Sequence, residues 1–179
     1  IHRFRGDADT AIQEFRNALL IVESDSLHGH TGAWQVRQNL AETYFASGRY
    51  ADAKREFELE LEALQTSAPD TLDVGVALIN LNEARKAVGD TVGIVEAYVR
   101  ARRVFEHNEG PESASAADAL HREGSWRLAG GDTPGAAHAL DRAIAILDGP
   151  GQVGLPLAAS LLERAQVHLA VGEIDSSIT

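Results

Sequence analysis

The sequence predicts an all-α fold of antiparallel helix pairs. Amphipathic helical patterns recur along its 179 residues, and 44% hydrophobic with 24% charged residues is typical of a folded chain. Glycines close successive apolar runs at steps of 42, 41, 42 and 41 residues. A fixed period of this length is the signature of a repeat architecture. The five glycines are Gly6, Gly48, Gly89, Gly131 and Gly172.

Each of these glycines is predicted to end one helix and to let the next fold back, because a residue without Cβ readily adopts the left-handed cap conformation. Small side chains on facing helices then allow close backbone approach, and a bulky one fills the gap between them. Mostly small residues stand five positions after the glycine and bulky ones nine after it: Ala11, Ala53, Ile94, Ala136 and Ser177, then Phe15, Phe57, Tyr98 and Leu140. Two further rows, twelve after and seven before the glycine, are also expected to be close-approach positions: Ala18, Glu60, Ala101 and Ala143, then Ala41, Asn82, Gly124 and Ala165.

Polar residues stand where the next helix is predicted to begin. An acidic residue directly follows four of the glycines, and Ser113 and Asp70 precede two other predicted helices. Such side chains accept hydrogen bonds from the free amides of a helix N-terminus. The four acidic residues are Asp7, Asp90, Asp132 and Glu173.

The predicted elements follow in register along the chain. They are a second helix of one repeat at 6–24, repeats at about 33–66, 73–108 and 113–148, and a partial repeat at 155–179. Segments that contain Pro69, Pro111 and Pro150 separate the repeats. None is long enough to divide domains, so we expect one solenoid over 1–179. Both ends fall within a repeat, which predicts that the chain is a fragment of a longer protein.

The stretch EFELELE at 56–62 alternates polar and apolar residues as a half-buried strand would. Glu and Leu favour helix, however, and Phe57, Leu61 and Leu64 share one helical face. We therefore expect a helix here, with Leu59 partly exposed or touching the next repeat.

The segment NLAETYFASGRYADAKREFELEL resembles the tetratricopeptide repeat (TPR), in the 42-residue form found in kinesin light chains and many bacterial multidomain proteins. NLNEARKAVGDTVGIVEAYVRA is a second clear match, and the resemblance covers almost the whole chain. It implies a right-handed α-α superhelix, the TPR solenoid. The family usually has an aromatic residue four positions before the glycine. Here only Tyr44 follows that pattern, and Arg85, Arg127 and His168 replace it.

Composition limits the classes of partner and compartment. A formal charge of −11 opposes binding to phosphate backbones, so we expect no nucleic-acid partner. No apolar run reaches the roughly 18 residues of a membrane span, and the N-terminal residues lack the pattern of a signal peptide. These features predict a cytoplasmic protein without a membrane partner. Only two of the 16 basic residues are lysines, a bias that resembles bacterial proteins of GC-rich genomes.

The sequence predicts neither an enzyme nor a cofactor-binding protein. It contains no phosphate-binding GxxxxGK, no GxGxxG after a predicted strand, no HExxH and no GxSxG. It has no cysteine, and the histidine pair His28 and His30 near Asp25 lacks a third clear ligand, so we expect no metal site. Trp34 and Trp126 are interpreted as packing residues.

The resemblance implies a peptide-binding groove lined by the first helix of each repeat. Asparagines nine residues before the glycine face that groove in the family, where their amides hold a peptide backbone. Rows six and ten before the glycine lie beside them. An ordinary hydrated helix face is the alternative interpretation of the same residues. The candidate groove residues are Gln38, Asn39, Glu42, Asn80, Glu83, His121 and Arg122.

These observations favour a protein–protein interaction module with a regulatory or scaffolding role in a larger protein. Its expected partner is a protein or peptide with basic character, because acidic groove residues outnumber basic ones and the net charge is negative. Two alternatives stay open. The chain is a structural segment that self-associates through exposed solenoid ends, or it is the sensor arm of a bacterial regulator, kinase or signalling ATPase whose catalytic domain lies elsewhere.

Overall fold

A computed structural model describes residues 2–24, 32–149 and 154–177. Within these residues all regular structure is helical, which confirms the predicted all-α class. EFELELE lies inside α3, so the helical interpretation of that stretch is correct. The eight helices are α1 (His2–Ser24), α2 (Ala33–Ala46), α3 (Tyr50–Ser67), α4 (Leu72–Ala87), α5 (Ile94–Glu109), α6 (Ala114–Ala129), α7 (Thr133–Leu147) and α8 (Leu155–Ser177).

The helices form two compact units, Ile1–Val92 with α1 to α4 and Gly93–Thr179 with α5 to α8. Consecutive helices pack on one another within each unit, and α6 also contacts α8. The boundary falls inside the predicted repeat 73–108. The single solenoid over 1–179 therefore stays a prediction.

Three of the predicted glycine turns are present. Gly48, Gly89 and Gly131 have φ of 79°, 76° and 81°, in the left-handed region. The amide of the residue after each glycine donates to the carbonyl five residues earlier, at 2.8 to 2.9 Å. This bond satisfies a carbonyl that the end of the helix leaves free, as in a Schellman motif. The same device thus ends α2, α4 and α6.

The prediction that Gly6 and Gly172 also end helices is wrong. Helix α1 runs through Gly6, and α8 continues through Gly172 to Ser177. Glycine permits a left-handed turn but does not impose one, since within a helix it costs only about 1 kcal/mol relative to alanine. The predicted helix boundaries at these two positions are therefore wrong.

The predicted caps are present at two helices and absent from others. Ser113 Oγ accepts from the Ala116 amide at 3.2 Å, and the Asp132 carboxylate accepts from the Gly135 amide at 3.0 Å.

Asp90 does not cap α5, whose N-cap is Gly93 with φ 72°. Its carboxylate instead pairs with Lys54. The other two acidic residues, Asp7 and Glu173, lie within α1 and α8, and Thr71 rather than Asp70 holds the N-cap position of α4.

The close-approach rows form the core of both units. Ala53 and Phe57 are buried in unit 1 beside Leu40, Ala41 and Tyr44. In unit 2 a Cβ added at Gly124 would lie 2.7 Å from Leu140 Cγ, so only glycine fits there without a shift. The spacing of small and bulky residues therefore identifies these helix contacts, but the prediction for Ala165 is wrong, because Ala165 is exposed on α8.

We expect Ala53→Val to lower the free energy of unfolding by about 1–3 kcal/mol, because it overpacks a fully buried contact of α3. Ala51→Val places the same change on an exposed position of the same helix and should cost less than about 1 kcal/mol. Urea denaturation of both variants measures the difference. Equal losses would show that α3 does not make the close contact.

We expect Gly48→Ala to destabilise the chain by about 1 kcal/mol, because alanine is strained at φ 79°. Gly172→Ala should stabilise it by about 0.5–1 kcal/mol, since Gly172 lies inside a helix with open space around its Cα. Thermal denaturation of the two variants measures whether each substitution raises or lowers the stability. A stabilising Gly48→Ala would contradict the left-handed turn.

Candidate functional site

A cavity of about 180 Å³ lies between α2, α3 and α4 of unit 1. Three of the predicted groove residues line it, Glu42 from α2 and Asn80 and Glu83 from α4. Helical spacing puts them there: Glu42, Phe45 and Ala46 stand at i, i+3 and i+4 on α2, and Asn80 and Glu83 stand at i and i+3 on α4. The complete lining is Glu42, Phe45, Ala46, Phe57, Asn80 and Glu83.

The cavity combines aromatic walls with carboxylate and amide groups. Phe57 is buried, and the ring of Phe45 lies edge-on against Tyr50 with 5.0 Å between centroids, which fixes its orientation. Glu42 is exposed and Asn80 is half-buried. Both carboxylate oxygens of Glu83 accept from Lys86 Nζ, at 3.1 and 3.2 Å. Such a lining is suited to a group that is apolar along its length and polar or positively charged at its end.

A buried carboxyl group, Glu60, lies next to this cavity on α3. It is 1% exposed, and its Oε2 has no hydrogen-bond partner. Burial raises the pKa of Glu60 to about 8, and the negative charges of Glu42 and Asp73 add to the shift. The group is therefore protonated at neutral pH, because a lone buried carboxylate is costly.

Glu60 stands in the row of predicted close-approach positions, and its titration was not predicted. The signal was present, because the equivalent positions twelve residues after the glycine hold Ala18, Ala101 and Ala143. Ala101 and Ala143 are fully buried in the structure. A glutamate in a row of buried alanines predicts a buried titratable group.

The remaining candidates of unit 1 lie outside the cavity lining. Gln38 is half-buried and Asn39 is exposed on α2. The Asn39 carbonyl accepts from Thr43 Oγ1 at 2.7 Å. Of the two asparagines expected to hold a peptide, only Asn80 therefore lines the cavity, and Asn39 lies on the same helix as Glu42, three residues before it.

The two candidates of unit 2 make contacts within that unit. His121 Nδ1 lies 3.1 Å from Ser160 Oγ and 3.8 Å from Glu163 Oε2, so it joins α6 to α8. Arg122 Nε donates to Asp118 at 2.7 Å. His121 therefore takes part in the contact between α6 and α8, and its role in a groove stays a prediction.

The set of Ser160, His121 and Glu163 contains the residue types of a hydrolytic triad but not its geometry. A triad needs the acid and the nucleophile on different ring nitrogens. Here both approach Nδ1, and Ser160 is 0% exposed. The contacts therefore indicate a packing network.

A second cavity of unit 1, of about 480 Å³, lies among α1, α2 and α3. Arg37 lines it and bridges Glu23 to Glu56, with 2.8 Å to the second carboxylate. Leu59 is half-buried in this lining, as its position off the main face of α3 predicted.

Arginine takes the place of the missing aromatic residue at the end of α6. Arg127 Nε donates to Glu123 at 2.9 Å, and Nη1 donates to Asp132 at 2.6 Å. The hydrogen bond from Arg127, with a second from the Gly135 amide, lowers the pKa of Asp132. One guanidinium thus connects the last turn of α6 to the N-cap of α7.

In the part of the chain that the structure describes, no group of three His, Cys, Asp or Glu residues is arranged to hold a metal ion. The pair His28 and His30 with Asp25 lies outside those residues. No described helix is long and apolar enough to span a membrane.

Several solved structures are similar in fold to this chain. BtubC (BKLC) from P. vanneervenii matches with a TM-score of 0.86 at 22% identity, over 96% of this chain and 69% of that one. A kinesin light chain-like protein of Podosopora anserina, with nearly identical TPR-like repeats, matches with a TM-score of 0.76 at 18% identity, over 96% and 82%. MamA matches with a TM-score of 0.58 at 17% identity, over 97% and 94%.

These likenesses confirm the predicted fold: the chain is a helical-repeat protein of the TPR-like type. At such low sequence identities, these structural similarities are evidence for the fold alone. No protein-family model and no curated protein matches the sequence.

Glu60 should make the stability of the chain depend on pH. Between about 4.5 and about 8 the native state holds a proton that the unfolded state has lost, so stability should fall as pH rises through this window. The full slope for one proton is about 1.4 kcal/mol per pH unit. Urea denaturation at several pH values measures it.

Glu60→Gln should remove this slope, because the amide does not titrate, whereas Glu14→Gln on the exposed face of α1 should retain it. An unchanged slope in Glu60→Gln would show that another group carries the proton.

Proposed function

We propose that this chain is a protein-interaction module that binds an extended segment of a partner protein on the face of α2 and α4 in unit 1. The observation that carries the proposal is the cavity in which Glu42, Asn80 and Glu83 surround the rings of Phe45 and Phe57. The TPR-like fold supports it, because such helical repeats commonly present binding surfaces along their helices.

Asn80 supplies the group expected to hold the backbone of the partner. A carboxamide both donates and accepts hydrogen bonds, so it matches a peptide unit without regard to its side chain. Asn80 is half-buried at the edge of an apolar cavity, where a hydrogen bond competes less with water. Asn39 on α2 offers a second amide at an exposed position.

A regulatory or scaffolding role without catalysis is supported by the fold and by the packing role of His121 and Ser160. The bacterial setting rests on the predominance of arginine over lysine, and the cytoplasmic setting on the absence of a long apolar run and of a signal-peptide pattern in the sequence. A basic partner is supported by the carboxylates of Glu42 and Glu83 at the cavity.

Self-association is the second candidate function, and one observation favours it. Leu155, Leu162 and Leu169 follow each other at seven-residue steps on α8 and are 64–86% exposed. A stripe of this kind is typical of a helix face that packs on another helix. Leu162→Glu should abolish any oligomer detected by light scattering and should leave peptide binding by unit 1 intact.

The double variant Asn39→Ala/Asn80→Ala should bind its peptide about 10–100 times more weakly than the wild type. Each lost hydrogen bond contributes about 0.5–1.5 kcal/mol, and the fold should be unchanged because neither residue is in the core. The peptide is selected from a display library on the wild-type chain, and its affinity is measured by fluorescence anisotropy.

Asn17→Ala/Asn108→Ala removes two exposed asparagines elsewhere, on α1 and α5, and serves as the matched control. Circular dichroism verifies that both double variants fold. If the folded Asn39→Ala/Asn80→Ala variant binds with unchanged affinity, the surface is not the binding site and self-association becomes the leading function.

A further inference from the structure

We propose that the cavity between α2, α3 and α4 is a subsite for one cationic side chain, lysine or arginine, of the bound segment. The inference rests on the proposed function and names the chemistry of its ligand. Three separate observations carry it: the carboxylates at the cavity, the buried acid beside it, and the contrast with the equivalent position of unit 2.

The first observation is the state of the two carboxylates. Glu83 already accepts from the ammonium of Lys86 at 3.1 and 3.2 Å, so its charge is offset within α4. Glu42, on the opposite helix, makes no ion pair with any described residue. Unit 1 as a whole carries fifteen Asp and Glu against nine Lys and Arg. The unpaired charge is therefore at Glu42, facing the cavity.

The second observation is Glu60 and its free oxygen. Phe57 lines the cavity and Glu60 stands three residues further along α3, on the same face of the helix. Its Oε2 is buried without a hydrogen-bond partner, and the charge of Glu42 acts on it directly. Glu60 is protonated at neutral pH, so Glu42 carries the negative charge here. A cation placed beside Glu42 lowers the pKa of Glu60, and by the same coupling the release of the Glu60 proton strengthens cation binding.

The third observation comes from equivalent positions in unit 2. Ser125 and Glu163 stand six and nine residues before their glycines, as Glu42 and Asn80 do in unit 1. In unit 2 the two side chains are hydrogen-bonded, because Ser125 Oγ donates to Glu163 Oε1 at 2.9 Å. In unit 1 no hydrogen bond joins Glu42 to Asn80, and the cavity separates them. The side chains at these positions are therefore hydrogen-bonded to each other in unit 2 and line an open cavity in unit 1.

The size and lining of the cavity select a single long side chain. Its volume of about 180 Å³ lies below the roughly 300–1,000 Å³ of sites for drug-sized ligands. The rings of Phe45 and Phe57 and the methyl group of Ala46 suit the methylene stem of lysine or arginine. A cation over an aromatic face gains a further attraction.

Two small cations that represent these side chains, n-butylammonium and ethylguanidinium, test the subsite on the full chain. Amide chemical shifts are followed by NMR at constant ionic strength, with n-butanol as the uncharged control. We expect saturable shifts at Phe45, Ala46 and Asn80 with either cation and at least threefold weaker binding of n-butanol. Equal binding of n-butanol, or no saturable shift, overturns the proposal.

Charge-removing variants locate the binding on this cavity. Glu42→Gln should weaken binding of both cations about threefold to tenfold, in the range expected for loss of one partly exposed charge. Glu14→Gln removes an equal charge from the exposed face of α1 and should leave the binding constants unchanged. Equal effects of the two variants would mean a general attraction to an acidic protein, and the subsite would be rejected.

The selected peptides separate failure of the subsite from failure of the proposed function. Replacing their lysine or arginine with glutamine should reduce affinity for the wild type and have little further effect on Glu42→Gln. If glutamine is tolerated while the Asn39→Ala/Asn80→Ala variant loses binding, the subsite is wrong and the proposed function stands. If the cations bind the cavity while the asparagine variant keeps full peptide affinity, the proposed role of the asparagines is wrong and the cavity stands only as a site for a cationic group.

Discussion

Close approach between neighbouring helices is the constraint on which the rest of the structure depends. Where α6 meets α7, a methyl group at Gly124 would come within 2.7 Å of Leu140, and where α2 meets α3, Ala53 and Ala41 are fully buried. Backbones this close leave room for only one large side chain per contact, such as Phe57 or Leu140. The positions of the outward-facing rows, and hence of Glu42 and Asn80, are set by these contacts.

Much of the fold was predictable because close approach of two helices restricts the size of the residues at their contact. The spacing of alanines and aromatic residues identified the buried faces, and the glycines at 48, 89 and 131 identified the turns. The glycines at 6 and 172 show the limit. A residue type that permits two backbone conformations does not decide between them, and the choice depends on which helix is available to pack against.

The candidate site was predictable only in part. Glu42, Glu83 and Asn80, from the rows six and nine before the glycine, line one cavity, and their role in a groove stays a prediction. The same reasoning assigned His121 to a groove, because a single sequence does not show that Ser160 and Glu163 lie within reach of its ring. Such contacts between distant segments depend on side-chain length and rotamer, which register alone does not determine.

Equivalent positions in the two units therefore make different contacts, although the backbone pattern is the same. A serine at position 125 is short enough to donate to Glu163, and the helices join there through a hydrogen bond. A glutamate at position 42 brings a charge instead, and an open cavity lies beside it. Two different side chains at equivalent repeat positions thus distinguish an internal contact in unit 2 from an open cavity in unit 1.

The protonated Glu60 also changes the charge that the native chain carries. The formal value of −11 counts this carboxyl as ionised, whereas with a pKa of about 8 it is mostly neutral at pH 7 in the folded state. Unfolding at that pH therefore releases a proton to the solvent. The heat absorbed on unfolding then includes the ionisation enthalpy of the buffer, and calorimetry in phosphate and in Tris reports different apparent enthalpies for the same transition.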